Sequence, residues 1–220
     1  PNAPYDPIRD FAPVAPLAIG QLALVTHPSL GVSSIAELVA ASKANPGGIN
    51  YGSPGNGSPH HLAMELFKQA MGIDLTHVPY KSTGGALQDF LSGQTKVMFV
   101  SVSVAIPHIA TKRLTVLSSG GIRRAAATRD SLSLAEASGV RDIDTDIWFG
   151  MFAPSATPAP IVAKLNADVN GVLQLQDVKE IFSRQGMLVT GGKSDELASV
   201  TKGDLEKWTR VVREAKIRAD

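Results

Sequence analysis

Apolar and polar positions alternate between two periods along the first half of the chain. Leu17 to Thr26 is an apolar run that reads as a strand, ended by His27-Pro28, because proline favours an extended residue before it. A helix follows. Ser34 and Glu37 have capping-box spacing, and Ile35, Leu38, Val39 and Ser42 share one face. Asn45-Pro46-Gly47-Gly48 stops it. The pattern then repeats. A short strand, residues 49–52, leads through a loop into a helix that starts at Pro59, with Ser58 as N-cap. Leu62, Ala63, Leu66, Phe67 and Ala70 form its predicted buried stripe. Residues 75–80 read as a strand, and the turn at 81–85 opens a helix that buries Ala86, Leu87, Phe90 and Leu91. Strands are predicted at 96–101 and 113–118, with a short helix over 105–110 between them.

The texture changes after Ser119. Residues 119–146 are polar and irregular, with a helical patch near Leu134 to Ala137. Ile147 to Ala153 reads as a strand, and helices are predicted over 161–173, 177–185 and 195–215. Strands alternating with helices predict α/β architecture with largely parallel strands.

The 220 residues suffice for one large or two small domains. A formal charge of +1 gives no field to hold nucleic acid or an anionic membrane. The chain has no cysteine, which removes thiolate catalysis, disulfides and zinc–thiolate sites. No apolar run reaches the ~18 residues of a membrane helix. The opening Pro1-Asn2-Ala3-Pro4 has neither the basic start nor the apolar stretch of a signal peptide.

Two loops carry the candidate chemistry. In each, a strand ends in a Gly/Ser-rich turn that opens a helix. The first N–H groups of a helix have no partner inside it and carry partial positive charge, so they receive anions. Ser53, Gly55, Asn56, Gly57 and Ser58 make the first loop; Tyr80, Lys81, Ser82 and Thr83 begin the second. At the carboxyl ends of neighbouring parallel strands the two would face one crevice, and a small carboxylate suits it. Such loops are also ordinary strand-to-helix turns. The first is neither a P-loop nor a dinucleotide fingerprint. It is not a nucleophile elbow either: Pro54 removes the N–H that would follow Ser53. His60 and His61 point about 100° apart on a helix and do not converge on one metal ion. Trp148 and Phe149 read as a buried pair or as a wall of the binding cleft.

The run Asn50-Tyr51-Gly52-Ser53-Pro54-Gly55-Asn56-Gly57-Ser58-Pro59-His60-His61-Leu62-Ala63 resembles the tripartite tricarboxylate transporter receptors, the Bug or TctC-like proteins. So do residues 77–82, 106–109, 148–150 and 153–161, and the tail from Trp208 to Ala219-Asp220. The resemblance implies a type II periplasmic-binding-protein-like fold, two α/β lobes joined by crossing strands. Residues 27–115 would form the second lobe, which carries the loops. Residues 1–26 and 116–220 would form the rest of the first lobe, incomplete here because relatives begin with a further strand and a Pro-Gly-Gly loop. It also implies a periplasmic location, capture of a small carboxylate, and delivery to the membrane components of a transporter. Many relatives carry Asp-Asn where this chain has Val100-Ser101, so Val100 enters the expected ligand set with Trp148.

The expected function is an extracytoplasmic solute-binding receptor, not an enzyme, with no cofactor, no metal and no nucleic-acid partner. A ligand-sensing domain of a transcription regulator is the alternative with the same fold. A serine hydrolase and a plain interaction module fit less of the sequence. The missing start of the first lobe predicts a homo-oligomer or strand exchange between copies.

Overall fold

Leu17 to Thr26 divides at Gln21. A computed structural model, describing residues 4–128 and 130–218, gives two strands here, β1 (Phe11–Gly20) and β2 (Leu22–Thr26), which join different sheets. The remaining elements are α1 (Ile35–Ala44), β3 (Asn50–Ser53), α2 (Pro59–Met71), β4 (Thr76–Pro79), α3 (Thr83–Leu91), β5 (Val97–Ser101), α4 (Val102–Ala110), β6 (Thr115–Ser119), α5 (Leu134–Ser138), β7 (Ile147–Pro154), α6 (Ala159–Leu173), α7 (Gln176–Arg184), β8 (Met187–Val189) and α8 (Ser194–Glu214). The chain divides into two compact units, Pro1–Gly20 with Ile147–Arg210, and Gln21–Asp146 with Val211–Asp220. The sequence-based lobes differ from these units in residues 21–26, 116–146 and 211–220. Hydrogen bonding explains the assignment of the strands there: β2 and β6 pair inside the β5 sheet. Residues 1–3 and the last two of the family-like tail, 219–220, lie outside the described residues.

In the second unit the strand order is β4-β3-β5-β2-β6. β3 runs parallel to β4 and β5, as expected for consecutive strand–helix units. β2 runs antiparallel to both β5 and β6, so the sheet is mixed rather than largely parallel. A strand arriving directly from β1, with no helical crossover, is not bound to the parallel direction. Ala23, Val25, Met98 and Val100 pack on Ala86 and Phe90 of α3 and on Val102 and Ala105 of α4. In α2 the buried positions are His61, Ala63, Met64, Glu65 and Phe67; Leu62 and Leu66 are half-buried and Ala70 is exposed. The predicted stripe is therefore rotated, and it carries two ionisable side chains inward.

Local signals explain most of the helix starts. Ser34 Oγ accepts the Glu37 N–H, while Glu37 turns back to Ser33 rather than Ser34, so only half of the capping box forms. The complete box sits at Ser133 and Glu136 and starts the helical patch expected near Leu134 to Ala137. Glu136 also pairs with Arg124.

The first unit is a three-stranded antiparallel sheet, β7-β1-β8. Residues 11–16 of β1 and all of β8 escape the sequence reading. Pro13 and Pro16 hide the first, since proline cannot donate to a ladder; the register of β1 against β7 shifts between Pro13 and Ala15 and again between Pro16 and Ala18. The Val14 carbonyl at the first irregularity accepts from Asn166 Nδ2 and Ser194 Oγ, both at 2.7 Å. Val162, Leu165 and Val169 of α6 pack on Val14, Ala15 and Ala153. Leu197 of α8 packs on Gly150, where a Cβ would lie 2.5 Å from it.

Candidate functional site

The two candidate loops lie side by side. β3 and β4 are in register from Asn50–Thr76 to Ser53–Pro79, and the Tyr80 N–H then donates to the Ser53 carbonyl at 2.9 Å. Gly55 passes so close that a Cβ there would lie 3.2 Å from the Tyr80 carbonyl oxygen, at φ +133°. That backbone conformation belongs to glycine alone, which accounts for Gly55. Gly57, at φ +71°, has open space around its Cβ position.

Ser58 caps α2 by accepting the His61 N–H at 3.3 Å, and Ser82 caps α3 by accepting the Gly85 N–H at 3.2 Å. β5 opens α4 at the same edge of the sheet, where Ser101 caps without a side-chain bond. Three helices thus start at the carboxyl ends of the adjacent parallel strands β4, β3 and β5. Their macrodipoles add positive potential there.

The sequence reading assigned more donors to the first loop than remain available. The Gly55 N–H goes to Ser53 Oγ at 3.2 Å, the Gly57 N–H to His61 Nδ1 at 3.1 Å, and the Ser58 N–H to the Gly55 carbonyl at 3.2 Å. Pro59 has none. Ser53 is fully buried, and its hydroxyl contacts Gly55 and His77 Nε2, the latter at 2.7 Å. Asn56 is half-buried between the two glycines. In the second loop Lys81 and Ser82 are exposed and Thr83 is half-buried. The Tyr80 hydroxyl donates to Asp89 at 2.8 Å, and burial together with that carboxylate pushes its pKa up to about 12. Tyr80 is therefore a neutral wall. The first-turn N–H groups of His60, Thr83 and Gly84 have no possible acceptor inside their helices.

Two further residues were expected in the ligand set. Val100 is fully buried in the core beneath α3 and α4, so it presents no surface from which to select a ligand. Its uncharged side chain answers to its apolar neighbours. Trp148 belongs to the first unit, where its Nε1 donates to Asp204 at 2.7 Å.

Sequence reasoning missed a buried polar cluster behind the first loop. His61 stacks on His77 with ring centroids 3.9 Å apart and planes 15° apart, and Tyr51 stacks on the other side of His77 at 4.8 Å. Glu65 accepts from the Tyr51 hydroxyl at 2.6 Å and from Lys68 at 2.7 Å. Burial first, then the facing His61, pushes His77 down to about 4; burial also lowers His61. The signal was the pair His60-His61 on the first turn of a helix: whichever way α2 lies, one ring turns inward. The Ser53–His77 hydrogen bond has the spacing of a nucleophile and its base, but Ser53 has no exposed surface and faces no substrate. Among the described residues no group of three His, Cys, Asp or Glu could hold a metal, and no helix is long and apolar enough to cross a membrane.

Comparison with known proteins gives the family and the fold. Relatives include a protein encoded in the tcbD-tcbE intergenic region of Pseudomonas sp. strain P51, 31% identical over the whole chain, and BugT of Bordetella pertussis, 30% identical over 97% of it. The chain spans 66% and 65% of these two proteins' own lengths. Among solved structures, a periplasmic transporter is 31% identical with a TM-score of 0.83, covering all of this chain and 73% of that one. R. palustris Rpa4515 with adipate is 30% identical with a TM-score of 0.81, covering 97% and 71%. MatC from Rhodopseudomonas palustris with bound malate is 29% identical with a TM-score of 0.80, covering 96% and 73%. These neighbours bear out the α/β binding-protein fold. The tripartite tricarboxylate transporter family receptor model matches residues 1–217, and the chain belongs to that family.

Proposed function

We propose that this chain is the capture element of an extracytoplasmic solute receptor that binds a small organic acid. In that reading it acts in the periplasm and presents its ligand to the membrane components of a tripartite tricarboxylate-type transporter. The observation that carries the reading is the adjacency of the loops at residues 53–58 and 80–83, each ending at a capped helix start. A carboxylate placed there meets the first-turn N–H groups and hydroxyl of Thr83 and the N–H groups of His60 and Gly84, with the positive ends of two helices behind it. Neighbours of similar sequence hold adipate and malate, so C4 to C6 dicarboxylates are the first ligands to try. Ser53, Gly55, Asn56 and Gly57 shape the first loop rather than touch the anion.

Isothermal titration calorimetry with succinate, malate and adipate tests this, with a neutral sugar as control. An occupied site at ~100 times its Kd adds about 2.7 kcal/mol of stability, which at this size raises Tm by roughly 5–11 °C. Heat and thermal shift from the dicarboxylates and none from the sugar are expected. The reverse pattern would refute the assignment.

A further inference from the structure

We propose that His61, stacked on His77, is a proton-operated latch on the loop at residues 53–58, which holds that loop in shape only while the His61 imidazole is neutral. Its bearing on ligand rests on the function proposed above; its bearing on the loop does not.

The Gly57 N–H donates to His61 Nδ1 at 3.1 Å, so Nδ1 is unprotonated and the proton of the neutral ring sits on Nε2. A second proton can go only to Nδ1. It would turn the acceptor into a donor facing another donor, and the bond that fixes Gly57 would be lost. His77 is bound to the same loop through Ser53, at 2.7 Å from Nε2. Ser53 Oγ in turn accepts the Gly55 N–H. The two imidazoles therefore anchor the two glycines of one loop. They also lie face to face at 3.9 Å, so a charge on either ring opposes a charge on the other.

The charged and titratable surroundings of the pair work in the same direction, with one exception. Tyr51 of β3 stacks on His77 and is a neutral phenol. β5 contributes no ionisable side chain. On α2, Glu65 lies 4.0 Å from His61 Nε2 and favours its protonation. That carboxylate is already held by the Lys68 ammonium and the Tyr51 hydroxyl, and the Lys68 charge lowers both histidines. The preceding residue, His60, has both ring nitrogens buried, and burial lowers its pKa too. The Val211 carbonyl meets α2 at Gln69, two turns away from His61.

Two substitutions separate the latch from mere packing. In His61→Asn, Oδ1 occupies the place of Nδ1 and accepts the Gly57 N–H without titrating. His77→Gln keeps a polar partner for Ser53 and removes the facing imidazole. The experiment uses the whole chain without ligand, following the amides of Gly55 and Gly57 and the imidazoles by NMR between about pH 7 and pH 4. In the wild type, protection of the Gly57 amide from exchange should fall by about tenfold or more as the first imidazole titrates. In His61→Asn it should stay flat, and in His77→Gln the loss should persist and still follow His61, whose Nδ1 remains the acceptor of the Gly57 N–H. A wild-type Gly57 amide whose protection does not change while His61 protonates overturns the proposal, and so does a His61→Asn profile that matches the wild type. The ligand arm compares malate affinity of wild type and His61→Asn at each pH, so that protonation of malate cancels; the ratio should fall by about tenfold across the titration of His61. If neither protein binds succinate, malate or adipate at pH 7 yet the Gly57 amide still follows His61, the receptor reading fails and the latch stands.

Discussion

The two units invest their apolar side chains differently. In the second unit Tyr51, Phe67, Phe90, Phe99, Leu38 and Met98 are all but fully buried, and the large apolar residues left in the open are Ile106, Ile122 and Leu132. The first unit buries Val14, Ala15, Leu173 and Leu197, yet Ile161, Val172, Leu175, Ile181, Leu188, Val200 and Leu205 are each more than a third exposed. The second unit also carries the buried ionisable cluster. The contrast teaches where function can be placed. Capped helix starts and close-packed glycines need a rigid scaffold beneath them, and the five-stranded sheet supplies it.

The largest effect should come from cutting into that scaffold. Phe67 is fully buried and meets Phe99 edge to face. Phe67→Ala should cost about 3–5 kcal/mol, read by urea unfolding. Ile161→Ala, at a half-exposed site of the first unit, should change stability by no more than about 0.5 kcal/mol. Equal costs would end the contrast between the units.

The next effect is a pH dependence written into the second unit. Asp146 accepts the Leu22 N–H at 3.0 Å, yet burial pushes its pKa up to about 6. A raised carboxylate pKa means that the folded state holds the proton more tightly than the unfolded chain does. Its contribution is fully present below the unfolded value and is lost as pH rises from about 4 to about 6, by roughly 3 kcal/mol at most. His77 works oppositely: a histidine depressed to about 4 removes stability as pH falls from about 6.5 through that range. Asp146→Asn should flatten the first slope and leave the second, in urea midpoints taken across pH 4 to 7. A wild-type midpoint that climbs from pH 4 to 6 as steeply as that of Asp146→Asn would show that Asp146 is not raised.

Smaller again is the cost of adding a methyl group to the first loop. Gly55→Ala meets both a forbidden backbone conformation and the Tyr80 carbonyl, and should cost about 1–3 kcal/mol. Gly57→Ala meets strain alone and should cost about 1–2 kcal/mol. Equal losses would mean that the approach to Tyr80 is not as tight as it looks.

These sites were unequally legible in sequence. The capped starts of α2 and α3 announced themselves, because Ser-Pro and Ser-Thr-Gly-Gly before an apolar stripe leave few alternatives. What the loop donors do could not be read, since His61 and His77 lie sixteen residues apart and only the β3–β4 pairing brings them behind the glycines. Val100 was misplaced for a similar reason. A residue at the end of a strand alternates between core and surface, and position alone does not say which face it takes. In the first unit the prolines of β1 masked a real strand, whose first irregularity is satisfied by Asn166 and Ser194 from distant helices. The division of an apolar run at Gln21 into two sheets is a tertiary event without a local signal.

The smallest effect on stability belongs to the exposed face of the first unit. β8 pairs with β1 on one side only, and Leu188 on it, with Ile181 on α7, is open to water. An edge strand bordered by exposed apolar side chains invites association, so this chain should self-associate with rising concentration. Ile181→Lys places a charge where a methyl-rich chain was already solvated, and should move the unfolding midpoint by no more than about 0.5 kcal/mol. It should nonetheless weaken association, because a second copy would have to desolvate the ammonium. Sedimentation velocity over a hundredfold range of concentration reads this directly. If wild type and Ile181→Lys both remain monomers throughout, the exposed apolar face is not an association surface.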